Sequence, residues 1–286
     1  MMQAATYTSL TPIHSKELDD AVELLENPNF ASRLADYAGQ PVNAIIEHLP
    51  GVLNRGLREA VRVAIFKCLE LAIGSIDDGD ALTTSEWTAK LMTGVAGGVG
   101  GFFGMAALPI ELPLTTTLML RSIAEIARAE GEDLRSVEAL LACLEVFALG
   151  VRGPHDKANV DYYAVRMVLT KLTSEVSALV LERGAVNASS PIVAKLVGEI
   201  VARFGLVVSD MAAASAVPIF GAIGGATVNM IFMDHFQRVA RGHFTIRRLE
   251  RLYGVEAISE LYRGHARQAA SKSGRPHLSS NKSAAR

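Results

Sequence analysis

Apolar positions recur at helical spacing along almost the whole chain and nowhere alternate as a half-buried strand would require, so the pattern predicts an all-α fold. Leu18, Val22 and Leu25 mark one face of a first helix that starts near Ser15 and stops at Asn27-Pro28. Phe30, Leu34 and Tyr37 mark a second, and Ile45, Ile46 and Leu49 a third, with breaks at Gly39 to Pro41 and at Pro50-Gly51. From Val52 to Ile76, the residues Leu53, Leu57, Val61, Ile65, Leu69 and Ala72 hold one apolar face opposite Arg55, Arg58, Arg62 and Lys67. Asp77-Asp78-Gly79-Asp80 reads as a loop before a helix carrying Trp87. Later helices are predicted from Thr115 to about Gly131, from Ser136 to Leu149, from about Ala158 to Leu181, and after Ser189-Ser190-Pro191.

Two segments interrupt this amphipathic rhythm. Between Lys90 and Arg121 the only charge is Glu111, and Gly94, Gly97, Gly98, Gly100, Gly101 and Gly104 fall at spacings of three and four. Met211 to Met233 is a second uncharged run, bounded by Asp210 and Asp234, with Gly221 and Gly225 at the same spacing. Both reach the roughly 20 apolar residues a bilayer span needs. Glycines at i and i+4 let helix backbones approach closely, which assigns Gly94, Gly97, Gly98, Gly101, Gly104, Gly221 and Gly225 to helix packing. Pro109, Pro113 and Pro218 predict bends, so each run reads as an apolar hairpin or a pair of half-length helices as readily as a straight span. The exits from the two runs are alike: Ile123-Ala124-Glu125-Ile126-Ala127-Arg128 compares with Phe236-Gln237-Arg238-Val239-Ala240-Arg241, a weak internal repeat.

Charge sharpens the membrane reading. The chain of 286 residues has a net charge of −2, yet from His235 to Arg286 eleven basic residues stand against three acidic ones. Mean hydropathy is +0.25, between the values of a cytosolic protein and a polytopic transporter. Arg238, Arg241, Arg247, Arg248 and Arg251, set among Phe236, Val239, Phe244, Ile246, Leu249 and Tyr253, suggest an amphipathic segment whose guanidiniums contact lipid phosphate. Nucleic acid is a poorer partner, because the rest of the chain is acidic and no nucleic-acid motif is present. Within the apolar runs, Glu111, Asp210, Asn229, Asp234 and His235 either face protein and one another, Glu111 pairing with Arg121, or mark helix ends in water.

Chemistry is sparse. No P-loop, nucleophile elbow, dinucleotide fingerprint or zinc-ligand spacing occurs. Cys68 and Cys143 sit in apolar helical patterns and read as reduced core thiols of a cytoplasmic protein, and Lys16, Glu17, Asp19 and Asp20 interrupt any secretory signal. The best constellation is Glu145, His155, Asp156 and Asp161, which offers carboxylates and an imidazole around one loop, either as a metal-assisted hydrolytic centre or as a solvated helix cap.

Several motifs then combine. They are the glycine run ending in Ala107-Leu108-Pro109, Leu120-Arg121-Ser122-Ile123-Ala124, Cys143-Leu144-Glu145-Val146-Phe147-Ala148-Leu149-Gly150, Tyr162-Tyr163-Ala164-Val165-Arg166, Pro218-Ile219-Phe220-Gly221-Ala222 with Asn229, and Arg248-Leu249-Glu250-Arg251-Leu252-Tyr253-Gly254. Through them, roughly Lys16 to Gly254 resembles the EcsC family of bacterial proteins. Leu149-Gly150-Val151-Arg152-Gly153 departs from the family's Ala-Leu-Gly-Gly, so a different shape is expected for the loop before His155. The resemblance implies no reaction and no cofactor.

The expected organisation is a disordered stretch at 1–14, a helical domain at 15–262 with two central apolar hairpins, and a disordered basic tail at 263–286. The expected role is non-enzymatic, at the cytoplasmic face of a membrane, peripheral or partly inserted, with anionic lipid or a membrane protein as partner and no metal. The alternatives are a soluble metal-assisted hydrolase centred on Glu145, His155 and Asp156, and a soluble adaptor.

Overall fold

Among its described residues, the computed structural model has eight helices: α1 (Pro12–Glu26), α2 (Gly51–Gly74), α3 (Leu108–Ala129), α4 (Val137–Leu149), α5 (Tyr162–Arg183), α6 (Pro191–Ser215), α7 (Gly221–Tyr253) and α8 (Val255–Lys272). The structure describes residues 10–26, 30, 33, 51–76, 108–149, 162–184, 187, 189–215 and 221–272, without side-chain surroundings at 51–55, 108–111, 213–228, 270 and 272. Among these residues there is no strand, and the fold is an all-α bundle. The glycines from Gly94 to Gly104 lie outside the described residues. Gly221 and Gly225 fall on α7, where their surroundings are likewise not described.

At the centre runs α4. Every residue from Val137 to Leu149 is buried except Glu138, because α2, α3, α5, α6 and α7 all pack around it. A helix enclosed on all sides loses the polar stripe of a surface helix, and α4 keeps only Glu145 as an interior charge. Phe147 of α4 meets Phe204 of α6 and Phe236 of α7, with ring centroids 5.0 and 5.5 Å apart. Phe232 extends the same aromatic layer to Phe30.

Three relations fix helix directions. Gln237 donates to Ser122 at 2.8 Å, Thr245 to Glu130 at 3.4 Å and Arg247 to Glu132 at 2.8 Å, each pair 115 residues apart. A constant separation means that α7 runs parallel to α3 and the turn that follows it. The two similar exits, Ile123 to Arg128 and Phe236 to Arg241, are thus neighbours side by side. Against α1 the sense is reversed, since His14 meets Tyr253, Glu17 meets Arg248, Leu25 meets Gly242 and Arg33 meets Asp234. Against α6 it is reversed as well: Phe204, eleven residues before Ser215, touches Phe232, eleven residues after Gly221. The short link between those ends spans at most about 20 Å, too little for a parallel return.

Several boundaries differ from the sequence reading. Helix α1 begins at Pro12 instead of Ser15, because Thr11 caps it: its Oγ1 accepts from the His14 amide at 3.2 Å, and proline suits the first helical position. Helix α3 starts at Leu108 and passes through Pro113 instead of resuming at Thr115. Pro109 sits where its missing N–H is needed by no carbonyl, and Pro113 costs one bond near the helix end. Asp210 and Asp234 do not mark helix ends, since both lie inside α6 and α7. Helix α8 runs ten residues past the boundary expected at Tyr262. Its extra turns find partners, with His265 on Asp19 and Arg263 over the Tyr163 ring.

Gly242 marks a close helix crossing. A Cβ there would lie 2.8 Å from Leu25 Cγ and 3.2 Å from the Ala21 carbonyl oxygen, so α1 and α7 meet almost backbone to backbone. Gly242→Ala is expected to destabilise by about 1–3 kcal/mol. Gly198→Ala, where a new Cβ meets nothing within 4 Å, should instead stabilise α6 by roughly 0.5–1 kcal/mol. Urea denaturation of both variants checks the pair, and equal effects would refute the crossing.

Candidate functional site

The interior of this bundle is not uniformly apolar. On α7, His243, Arg247 and Glu250 follow one another at spacings of four and three, so they share the face that Phe236, Val239 and Ile246 bury. Opposite them, Tyr162, Tyr163 and Arg166 occupy the first turns of α5. Arg166 grips Glu250 with both terminal nitrogens, at 2.7 and 2.6 Å, and Tyr163 donates a third hydrogen bond to the same carboxylate at 2.8 Å. The side chains are 12% and 5% exposed, so this is a buried, fork-to-fork ion pair. Tyr162 and His243 Nδ1 are hydrogen bonded at 2.8 Å, and Tyr262 of α8 donates to Glu26 at 2.8 Å beside the same rings.

Each ionisation state follows from burial and charge. Burial opposes the Arg166 charge, but the Tyr162, Glu250 and Tyr163 oxygens outweigh it and raise its pKa, so it stays protonated. His243 is held well below the usual imidazole range by burial and then by Arg166 and Arg247, so it is neutral. Burial also pushes both tyrosines up. Glu145 is held differently from Glu250. Its Oε1 accepts from the Thr173 hydroxyl at 2.9 Å, its Oε2 has no hydrogen-bond partner, and burial raises its carboxyl to about 7 despite Thr173, Arg166 and Arg247. Cys68 and Cys143 are free and fully buried, and burial lifts both thiols, Cys68 to about 12, so neither supplies a thiolate.

A second constellation closes one end of the bundle. Gly131, at φ 82°, ends α3 in the left-handed conformation and turns Glu130 and Glu132 toward α7. Arg247 binds Glu132 through Nε and Nη2 at 2.8 and 2.9 Å. Arg248 reaches Glu130 at 2.6 Å and Glu17 at 3.1 Å, while Arg251 pairs with Glu132 and donates to the Glu130 carbonyl at 2.6 Å.

These contacts show where several residues of the expected site lie. Arg247, Arg248 and Arg251, read from sequence as lipid contacts, are engaged by carboxylates of their own chain. A density of arginines looks the same whether its partners are lipid phosphates or glutamates more than a hundred residues away. Arg238 and Arg241 make no ion pair among the described residues; Arg241 is exposed and Arg238 half-buried. Arg121 pairs with Glu125 at 3.2 Å, one helical turn away, and Asp234 pairs with Arg33. Asp210 is half-buried, which raises its carboxyl to about 6. Glu145 lies in α4, but His155, Asp156 and Asp161 fall outside the described residues, so their grouping is not described. Among the described residues, no three His, Cys, Asp or Glu side chains are placed to hold a metal, and no helix is long and apolar enough to cross a membrane.

Fold and interior together define a class: helical bundles whose central charges bind one another and thereby set helix register. Residues 67–249 match the model of the EcsC protein family, and the chain belongs to that family. The match begins inside α2 and ends inside α7, one residue before Glu250. No match to the chain was found among the curated proteins or among the solved structures. Three of the segments that carry the resemblance meet here, through Glu145, through Tyr162, Tyr163 and Arg166, and through Glu250.

Two tests follow from the interior. Arg166→Met or Glu250→Leu alone strands a buried partner and is expected to cost about 3–5 kcal/mol, while the double variant costs less than the sum. A urea double-mutant cycle that turned out additive would contradict the pairing. For Glu145, the folded carboxyl titrates near 7 and the unfolded one near 4.5, so between these values the folded state binds more protons. Stability then falls as pH rises from about 4.5 to 7 and levels above, by up to roughly 3 kcal/mol. Glu145→Gln should remove that loss, so thermal melts of both proteins at pH 5 and pH 8 would show a smaller pH dependence in the variant.

Proposed function

We propose that this protein is a non-enzymatic accessory or structural protein of the cytoplasmic face of a membrane, docked through one apolar end of its bundle. The observation that carries the reading is the parallel packing of α3 and α7. Each apolar run of the sequence leads into, or forms, the N-terminal part of one of these helices. Parallel neighbours begin at the same end, so both runs meet the bundle at one pole. The opposite pole holds the glutamates and arginines of the α3–α4 turn and the end of α7.

The interior supports a structural role over catalysis. Its tyrosines, arginine and glutamate bind one another, its thiols are shielded, and its polar groups are buried away from solvent. A peripheral or partly inserted protein of this kind takes anionic lipid or a membrane protein as partner, with one apolar pole concentrating the contact.

Membranes from cells making the untagged protein, washed with high salt and then alkaline carbonate, are expected to retain it. Met230, 67% exposed on the apolar side of α7, provides a surface handle. Met230→Glu should lower the fraction bound to vesicles several-fold with an unchanged melting temperature. Recovery of the unmodified protein wholly in the soluble fraction, as one discrete species, would replace this reading with a soluble adaptor.

A further inference from the structure

Helix α5 carries a second stripe, on its outer side, that no described element covers. Its inner face, with Val165, Leu169, Leu172, Val176 and Val180, is buried in the bundle, where α5 packs on α4 and α6. On the outer side Ala164, Met167, Lys171, Ser174, Ala178 and Leu181 are all exposed, Met167 and Leu181 each to 72%. These positions step along the helix by three and four residues in strict alternation. Such a repeat keeps its side chains on one line and is the seam along which two helices wind together. A helix facing only water turns a polar face outward, whereas four of these six positions are apolar.

The order of residues along the stripe decides what can cover it. Reversed and laid against itself, the seam sets Ala164 against Leu181, Met167 against Ala178 and Lys171 against Ser174, because the three pairs share one midpoint. At both ends a small side chain then meets a large one, which fills the space between two helices without voids. Glu175 falls level with residue 170 of the reversed copy, about 1.5 Å along the axis from that copy's lysine. Lysine and glutamate of opposite copies therefore meet on each side of the two-fold. Neither Lys171 nor Glu175 has an ion pair among the described residues, and a lysine N-terminal to its glutamate is the poorer order for pairing within one helix. Laid parallel, the same seam would bring the two copies' lysines together and their methionines together, and like charges in contact disfavour that arrangement. A single lysine in an otherwise apolar and small seam thus selects orientation as well as register.

We propose that a second copy of this chain covers the outer stripe of α5, antiparallel, about a two-fold axis midway between Lys171 and Ser174. Tyr162 bonds His243 and Arg166 bonds Glu250, so α5 runs in the same direction as α7. The two-fold then turns the starts of the two α7 helices to opposite ends, and a dimer docked by one apolar pole points the other away from that surface. The stripe lies on the side of the bundle and does not depend on the membrane reading.

Sedimentation of the full chain over a wide concentration range, with the apolar pole covered by a mild detergent, should show a monomer–dimer equilibrium. Lys171→Glu and Glu175→Lys should each weaken the dimer roughly tenfold or more at an unchanged melting temperature. The double variant, which exchanges the two charges, should recover it. On mild oxidation, Met167→Cys mixed with Ala178→Cys should link in preference to either variant alone, the native Cys68 and Cys143 being buried. A monomer at every concentration would overturn the proposal. A dimer that both charge reversals leave intact would place the contact on another surface and overturn it as well. Preferential linking of Met167→Cys to itself would mean parallel pairing and overturn the register.

Discussion

Helix α7 is held in register against its neighbours because its inward stripe carries His243 and Glu250, both buried, and the partly buried Arg247. A slip by one residue would turn that stripe by about 100° and leave Arg166 of α5 and Glu132 of the α3–α4 turn facing apolar atoms. A buried charge without its partner costs several kcal/mol, a large part of what holds a domain together. Apolar side chains alone would tolerate neighbouring registers far better, since Phe, Leu and Val pack acceptably against many surfaces. The polar stripe therefore contributes uniqueness more than stability.

That register has a consequence at each end of the molecule. Once Arg247 is locked to Glu132 and Gln237 to Ser122, the start of α7 is fixed beside the start of α3. The two similar exits then lie on adjacent parallel helices, with matching residues two positions, about 3 Å, out of the 115-residue register. Ala127 and Ala240 are both fully buried in this arrangement, as are Ile123 and Phe236. Polarity becomes a property of the whole bundle, with carboxylates and guanidiniums gathered at one end and uncharged sequence entering at the other.

The fold class and most helices were legible because burial follows the 3.6-residue period. Leu18, Val22 and Leu25 are buried as their spacing requires, and Arg58, Arg62 and Lys67 are outside while Val61, Ile65 and Leu69 are inside. Helix ends were less legible. Thr11 and Pro12 carry the local signals of a start, but Ser15 offers a similar one, and a capping bond decides between them. The polar interior was the least legible part. Sequence alone assigns no role to Tyr162, Tyr163, Arg166 or His243 and offers Arg247 to lipid, because an ion pair across 84 or 115 residues leaves no mark on local periodicity. One signal was present: His243, Arg247 and Glu250 lie on the stripe that Phe236, Val239 and Ile246 define as buried. Charged residues on an apolar face need partners, and that requirement points inward before it points to a membrane.

Glu145 shows why this interior holds together without being neutral group by group. It sits in a helix enclosed by five others, within the fields of Arg166 and Arg247, yet each of those cations is already claimed at hydrogen-bond distance, by Glu250 and by Glu132. Their attraction for a third carboxylate is a residue of fields largely cancelled nearby. It falls short of the desolvation cost, which is why the carboxyl titrates near 7 instead of staying ionised as Glu132 does. Thr173 satisfies one oxygen, and protonation would relieve the other of charge that nothing solvates. A proton on Glu145 thus substitutes for the missing partner.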